Sequence, residues 1–216
     1  MEFLNRIRTP EKPVPVKKQI FITIGILLFG IFMGVFSKFL DHRQAELQGF
    51  LQVIDSAVDL HNFLGEFGPW ILIAVLISVY SISPLWSAVR VFLFFAGMVS
   101  SYYLYCHYVA GFFPRSYAMI WVGFTFLSPF LAWVCWYARG KGVFAFLLSS
   151  GIISVLINTT FVYGMFYLHL RGSILNLLVL AGGIAALYQS FRQILWTVGA
   201  GIAFAVLLWM TPFFLF

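Results

Sequence analysis

The sequence predicts an all-α integral membrane protein: a bundle of about seven transmembrane helices, with six as the alternative, plus an amphipathic helix at the outer interface. Of the 216 residues, 62% are hydrophobic and only 9% are charged, whereas soluble domains carry about a quarter charged residues. The mean hydropathy is +0.97. The apolar residues form continuous runs rather than an alternating pattern, which favours helices over a β-barrel. Lipid is therefore the expected solvent.

Seven apolar runs approach the length of about 20 residues that a helix needs to cross a bilayer. Prolines and a glycine-rich stretch at 139–142 separate several of them. The second and sixth runs are the shortest. If one of these re-enters the membrane instead of crossing it, six spans remain and the C-terminus changes side. The predicted spans are 20–40, 67–82, 86–108, 119–136, 143–167, 174–188 and 194–213.

The basic residues predict a cytoplasmic N-terminus, because cytoplasmic connections carry an excess of Lys and Arg. Of the 13 basic residues, this orientation places nine inside and four outside. The chain then divides into a basic cytoplasmic segment, 1–19, and one transmembrane domain, 20–216, in the inner membrane of a bacterial-type cell. Arg90, near the start of the third span, is expected to snorkel to the inner surface. The inner set is Arg6, Arg8, Lys12, Lys17, Lys18, Arg90, Arg139, Lys141 and Arg192, and the outer set is Lys38, Arg43, Arg115 and Arg171.

The segment between the first two spans, residues 41–66, is predicted to be an exoplasmic amphipathic helix. Apolar residues recur there at helical spacing, and polar residues take the other face. The acidic character of that face is not typical of a lipid-anchoring helix, so a connector resting on the membrane and a lid over a cavity both remain open. The apolar stripe is Leu47, Phe50, Leu51, Ile54, Ala57 and Val58, and the polar face is Gln48, Gln52, Asp55, Ser56 and Asp59.

Acidic residues are confined to the first third of the chain, and none follows Glu66. Carboxylates inside the membrane usually carry ion coupling, and hydrolytic sites need carboxylates, metal ligands or an activated nucleophile. The histidines are too scattered for an H-E-x-x-H site, and the two cysteines lack C-x-x-C spacing. The basic residues form no patch that favours nucleic acid. We therefore expect a protein that is not an enzyme and that uses no metal, cofactor or nucleic-acid partner.

Polar and aromatic residues near the outer ends of several spans form a candidate ligand site. Tyr103 and His107 combine an apolar body with a polar tip, which is typical of an interfacial aromatic belt or of a cavity mouth. An unpaired amide inside a span is costly, so Asn158 indicates either a ligand contact at the midplane or a hydrogen-bond clamp between helices. The candidate residues are Tyr103, His107, Arg115, Asn158, Thr159, His169 and Asn176.

A pair of glycines in the first span, Gly30 and Gly34, has the G-x-x-x-G spacing that allows two helices to approach closely. This spacing has two interpretations. The glycines either pack against another helix of the same chain or hold a helix of a partner membrane protein.

The stretches Tyr80-Ser81-Ile82-Ser83-Pro84-Leu85 and Val109-Ala110-Gly111-Phe112-Phe113-Pro114 resemble those of small uncharacterised bacterial membrane proteins. In size and in its first helix, the chain is also similar to the substrate-capturing subunits of energy-coupling-factor vitamin transporters, which typically have six spans. The resemblance implies a polytopic helical fold and says nothing about activity. The leading hypothesis is a membrane component that captures or passes a small neutral or aromatic molecule. The alternatives are an accessory or immunity-type subunit that binds another membrane protein and, third, an intramembrane enzyme.

Overall fold

The computed structural model describes residues 2–10, 14–164 and 166–211, and within these residues it is a bundle of α-helices with one β-hairpin. The hairpin consists of β1 (Phe161–Gly164) and β2 (Tyr167–Leu170), which pair antiparallel. Lys12 and residues 212–213 of the last predicted span lie outside the described residues. The helices are α1 (Glu2–Ile7), α2 (Val16–Arg43), α3 (Gly49–Val58), α4 (Leu60–Gly65), α5 (Phe67–Val79), α6 (Pro84–Tyr108), α7 (Arg115–Trp136), α8 (Gly142–Thr160), α9 (Leu175–Leu187) and α10 (Phe191–Trp209).

Five helices are long and apolar enough to cross a membrane, namely α2, α6, α7, α8 and α10. The predicted all-α fold is thereby confirmed, and these long apolar helices are compatible with a multi-pass membrane protein. Helices α5 and α9 are apolar too, but each has only 13 residues. At 1.5 Å per residue they span about 20 Å, against about 30 Å of hydrocarbon. A count of seven crossings depends on these two short helices and stays a prediction.

The four segments predicted to be cytoplasmic meet at one end of the bundle. The indole Nε1 of Trp136 donates to the Ser81 carbonyl at 2.7 Å, which joins the end of α7 to the α5–α6 turn. The Arg8 guanidinium stacks on the Trp136 ring, 4.1 Å from its centroid, and donates to the Val79 carbonyl at 3.0 Å. Gln189 donates to the Gly140 carbonyl at 3.3 Å. The side of the membrane that this end faces stays a prediction.

Labelling in intact cells tests that orientation, in a background from which both native cysteines are removed. We expect Gln48→Cys to react with a membrane-impermeant maleimide from outside, because the basic residues place the N-terminus inside. Lys141→Cys should react only after permeabilisation. Both positions are exposed in the fold, so a failure to react reflects the membrane. The reversed pattern contradicts the orientation, and outside labelling of both positions contradicts the number of crossings.

The fifth predicted span, 143–167, is corrected. Helix α8 ends at Thr160, and the chain then turns back as the hairpin, with Phe161 opposite Leu170. The Thr160 hydroxyl donates to the carbonyls of Leu156 and Asn176, at 2.8 and 3.1 Å, and ties the end of α8 to the start of α9. Val162 and Tyr163 follow, and β-branched and aromatic residues suit a strand.

The predicted amphipathic helix over 41–66 is also corrected, because the structure breaks it into several pieces. Helix α2 continues to Arg43, and α3 and α4 are separated by Asp59, whose φ of 54° is left-handed. Phe50, from the predicted apolar stripe, is 78% exposed. Asp55, from the polar face, is buried, because it accepts hydrogen bonds from the backbone and the ring Nδ1 of His61 at 2.8 and 2.9 Å.

Arg90 does not snorkel to the inner surface as predicted, since it is only 4% exposed. Its guanidinium donates to the Gln19 side-chain oxygen and, at 3.4 and 3.3 Å, to the hydroxyls of Thr23 and Ser81. Neutral oxygen atoms on α2 and on the α5–α6 turn therefore satisfy the buried cation. Arg90 ties these two elements to α6.

Gly30 and Gly34 serve packing within the chain. A Cβ at Gly30 would overlap the Phe94 carbonyl oxygen, and a Cβ at Gly34 would overlap the Met98 carbonyl oxygen, both on α6. The backbones of α2 and α6 thus meet where the side chains are absent. The other interpretation, a partner helix docked on this pair, stays a prediction, and it would require α6 to move away from both glycines.

At the end of the bundle that the sequence predicts to be outer, and that we call outer from here on, the helices end at different levels, and this difference positions the candidate site. The Ser37 hydroxyl of α2 donates to the Leu64 carbonyl at 3.4 Å, which places Ser37 level with the α4–α5 junction. Helix α2 continues beyond Ser37 to Arg43, about 9 Å at 1.5 Å per residue. The α4–α5 junction is therefore recessed relative to the outer end of α2.

Candidate functional site

The candidate residues fall into two groups on either side of the α4–α5 junction, and the structure does not bring them into one cavity. One group lies at the outer ends of α6 and α7. The other lies around the outer ends of α8 and α9 and on the hairpin. The first group is Tyr103, His107 and Arg115, and the second is Asn158, Thr159, His169 and Asn176.

A cavity of about 40 Å³ lies beside the first group, and we name it the outer aromatic pocket. A water molecule needs about 10–15 Å³ measured in this way, whereas pockets for organic ligands hold about 300–1,000 Å³. In this conformation the pocket therefore admits only a few water molecules or a very small chemical group. Its wall is formed largely by aromatic side chains, together with Ser37, Leu64 and Gly65; the aromatic residues are Trp70, Tyr102, Tyr103, Tyr117 and Trp121.

The Tyr103 hydroxyl is the distinctive polar group of the pocket. The side chain is 7% exposed, and its hydroxyl is buried with no hydrogen-bond partner among the described residues. A buried polar group left without a partner costs about 1–3 kcal/mol. The wall of the pocket thus contains a hydrogen-bond donor that has no partner among the described residues.

The α4 wall of the pocket is held mainly through one carbonyl. The Leu64 carbonyl accepts from the Trp70 indole at 3.1 Å and from the Ser37 hydroxyl at 3.4 Å. Below the wall, Phe67 of α5 stacks on Trp121 of α7, with ring centroids 4.9 Å apart and an interplanar angle of 16°. These contacts join α2, α5 and α7 around the pocket.

His107 and Arg115 are exposed and do not line the pocket. His107 is connected to the pocket only through Phe113. The Phe113 ring centroid lies 6.5 Å from that of His107 and 5.6 Å from that of Tyr103. Lys38, which sequence reasoning did not select, lies closer: its ammonium is 5.5 Å from the Tyr102 ring centroid and pairs with Asp41. In the sequence, Lys38 was assigned only to the outer set of basic residues.

Asn158 acts as a clamp between elements. Its Nδ2 donates to the Ala205 carbonyl of α10 at 3.3 Å, and its Oδ1 accepts from the Tyr163 hydroxyl at 2.6 Å. Of the two predicted roles, the geometry matches the hydrogen-bond clamp. Asn158 lies two residues from the end of α8, so it does not mark a midplane, and it is not among the residues that line the outer aromatic pocket.

The structure pairs Asn176, at the start of α9, with Glu66, the residue between α4 and α5. Asn176 is fully buried, and its Nδ2 donates to Glu66 Oε2 at 2.7 Å and to the Arg171 carbonyl at 2.5 Å. Burial raises the pKa of the Glu66 carboxyl; the Asn176 hydrogen bond and the Arg171 charge oppose this rise, while Asp59 adds to it. We call these two residues the Glu66–Asn176 pair.

The two remaining candidates contribute less. Thr159 donates to the Leu156 carbonyl of its own helix at 3.0 Å and faces Gly68 near the Glu66–Asn176 pair. His169 is exposed on β2 and stacks on Tyr167. Within the described part of the chain, no three His, Cys, Asp or Glu side chains cluster closely enough to hold a metal ion.

Comparison with known proteins does not assign the chain to a family. No protein-family model, no curated protein and no solved structure matches it. The resemblance to small bacterial membrane proteins and to vitamin-capturing subunits therefore stays a prediction.

Proposed function

We propose that this protein is a non-enzymatic membrane component that captures or passes a small neutral molecule through the outer aromatic pocket. One observation carries the proposal: the Tyr103 hydroxyl is buried without a partner inside an aromatic wall. A ligand with a hydrogen-bond acceptor would satisfy this donor, and a flat apolar face would pack against Trp70 and Trp121. The proposal places the pocket on the outer side of a cell inner membrane, with the N-terminus in the cytoplasm.

A neutral ligand suits the charges around the pocket. Lys38, which lies beside the Tyr102 ring of the wall, is already paired with Asp41. A ligand carrying a full charge would have to be desolvated there without a free counter-ion, which is costly. No nucleotide-binding loop occurs in the sequence, so active pumping would draw its energy from another source.

Binding of anything larger than a few atoms requires the α4 wall to move, which corresponds to the lid interpretation of residues 41–66. Helix α4 has six residues, and the α3–α4 connection passes through the left-handed Asp59. The Ser37 contact to this wall is long, at 3.4 Å. A short helix with few anchoring hydrogen bonds is the kind of element that opens locally at low free-energy cost.

Tryptophan fluorescence tests the proposal, because Trp70 and Trp121 line the pocket. We expect benzamide, a neutral aromatic probe with a carbonyl acceptor, to produce a saturable change with the purified protein. Tyr103→Phe should raise its Kd about fivefold, the effect of one neutral hydrogen bond. Trp121→Ala should raise the Kd about tenfold, because it removes the stacking surface.

The matched control is Tyr188→Phe, the same substitution at an exposed tyrosine of the opposite end, and its Kd should equal that of the wild type. Absence of a saturable change in the wild type contradicts the proposal. An unchanged Kd in both pocket variants, in folded protein, contradicts it as well and leaves Tyr103 as part of an aromatic belt.

The accessory-subunit hypothesis rested on Gly30 and Gly34, which α6 covers in this fold. It remains an alternative proposal that would need α6 to move away or another contact surface. The intramembrane enzyme ranks third, since the described residues show no nucleophile beside an activating base at the outer aromatic pocket.

A further inference from the structure

When Glu66 is ionised, one hydrogen-bond acceptor of the Glu66–Asn176 pair, Asn176 Oδ1, has no donor within the described structure. Asn176 is 0% exposed, and the carbonyl of Arg171 and the Glu66 carboxyl both accept from its Nδ2. These two acceptors determine the orientation of the amide, so the buried Oδ1 cannot gain a partner by a flip. Oδ1 has no partner among the described residues. An ionised carboxylate cannot supply one, because it only accepts hydrogen bonds.

A protonated carboxyl has the missing donor. We propose that the Glu66–Asn176 pair is a proton-binding site, in which Glu66 takes up one proton from the outer aqueous phase and donates it in a hydrogen bond to Asn176 Oδ1. The carboxylate and the proton combine into a carboxylic acid, and the charge of the pair changes from −1 to 0. In the proposed site the acid and the amide each donate one hydrogen bond to the other, and this requires the Glu66 carboxyl to rotate until its hydroxyl reaches Oδ1.

The surroundings of Glu66 favour its neutral form. Helices α5, α8 and α9, which enclose the pair, contain no titratable side chain. The charged groups nearby are Arg171, which favours the carboxylate, and Asp59, which disfavours it. His61 Nδ1 lies 3.4 Å from Asp59, so a protonated His61 would offset part of the effect of Asp59.

Protonation of Glu66 acts on the outer cover, which we define as residues 44–65. Glu66 links this cover to α5, and Ser173, three residues before Asn176, donates to the Val58 carbonyl at the end of α3. Because burial raises the pKa of Glu66, the docked state binds the proton more tightly than an undocked, hydrated state does. Docking of the cover should therefore strengthen as the pH falls through the raised pKa and weaken above it.

Infrared difference spectroscopy of the full chain in lipid nanodiscs tests this site, because the sequence contains only seven acidic side chains. Above about pH 5, where exposed carboxyls are ionised, we expect the carbonyl band of one protonated carboxylic acid to persist. Glu66→Gln should abolish the band. Glu46→Gln, the same change at an exposed glutamate, should leave it unchanged, and Asp59→Asn should lower the pH at which it titrates.

The same measurement on wild-type chain made with isotope-labelled glutamate needs no variant. If the carbonyl band belongs to a glutamate, the label must shift it to lower frequency. A wild type without the band, or a band that persists in Glu66→Gln, overturns the proposal. If Glu66→Gln does not fold, absence of the isotope shift in the wild type is the deciding result against it. The titration uses no ligand, so its outcome is separate from that of the outer aromatic pocket.

Discussion

Gly34→Ala is expected to lower the free energy of unfolding by about 1–3 kcal/mol, the usual range for overpacking. The added Cβ would overlap the Met98 carbonyl oxygen and the Ser101 hydroxyl. The Met98 carbonyl belongs to the helix backbone, so α2 and α6 must separate and lose packing along their shared interface. Equilibrium unfolding in mixtures of detergent and SDS, followed by circular dichroism, measures the change.

Gly25→Ala is the matched control, because it makes the same change on the same helix. Gly25 is exposed, and nothing lies within 4 Å of the position of its Cβ. Alanine in a helix is more stable than glycine by about 0.5–1 kcal/mol, so this variant should be equal to or more stable than the wild type. Equal losses in both variants would mean that the close contact between α2 and α6 is absent.

Trp136→Ala is expected to have the larger effect, with a loss of about 3–5 kcal/mol of unfolding free energy. Trp136 is the largest fully buried side chain in the described structure. Removing it leaves a cavity and frees the Ser81 carbonyl that the indole satisfies at 2.7 Å. The Arg8 guanidinium also loses the ring on which it stacks. Thermal unfolding of the purified protein, combined with SDS titration, measures the loss.

Trp196→Ala provides the comparison, since Trp196 lies on the exposed surface of α10. Its replacement should change the unfolding free energy by less than about 1 kcal/mol, because no cavity forms. Similar losses in both tryptophan variants would contradict the packing of α1 and the α5–α6 turn around Trp136. A Trp136→Ala variant with the unfolding free energy of the wild type would contradict this packing more directly.

The candidate site was only partly predictable from sequence. Tyr103 lines the outer aromatic pocket. It was identified from sequence because it is a tyrosine near the end of an apolar run, which is typical of an aromatic residue at the membrane interface. Glu66 was missed, because it precedes the second apolar run by one residue and was counted with the outer segment. It is the last acidic residue of the chain and stands directly before an apolar helix, and that position was the available signal.

The sequence by itself was enough to predict that lipid surrounds the chain and that the chain forms helices. A chain with 9% charged residues and repeated apolar runs can satisfy its backbone in lipid only by forming helices. The starts and ends of most helices follow within a few residues, because prolines, glycines and polar residues interrupt the runs. The hairpin after Thr160 did not follow, since Phe161–Gly164 continues the apolar run and only its pairing with Tyr167–Leu170 makes it a strand.

Tertiary structure alone decided what the polar residues do. Arg90 and Asp55 are buried rather than exposed, because oxygen atoms of Gln19 and nitrogen atoms of His61, respectively, complete their hydrogen bonds. Glu66 meets Asn176 although 110 positions separate them in sequence. Hydropathy reflects the average environment of a segment, whereas a buried polar atom depends on one partner at one distance. Such a partner is known only when the helices have packed.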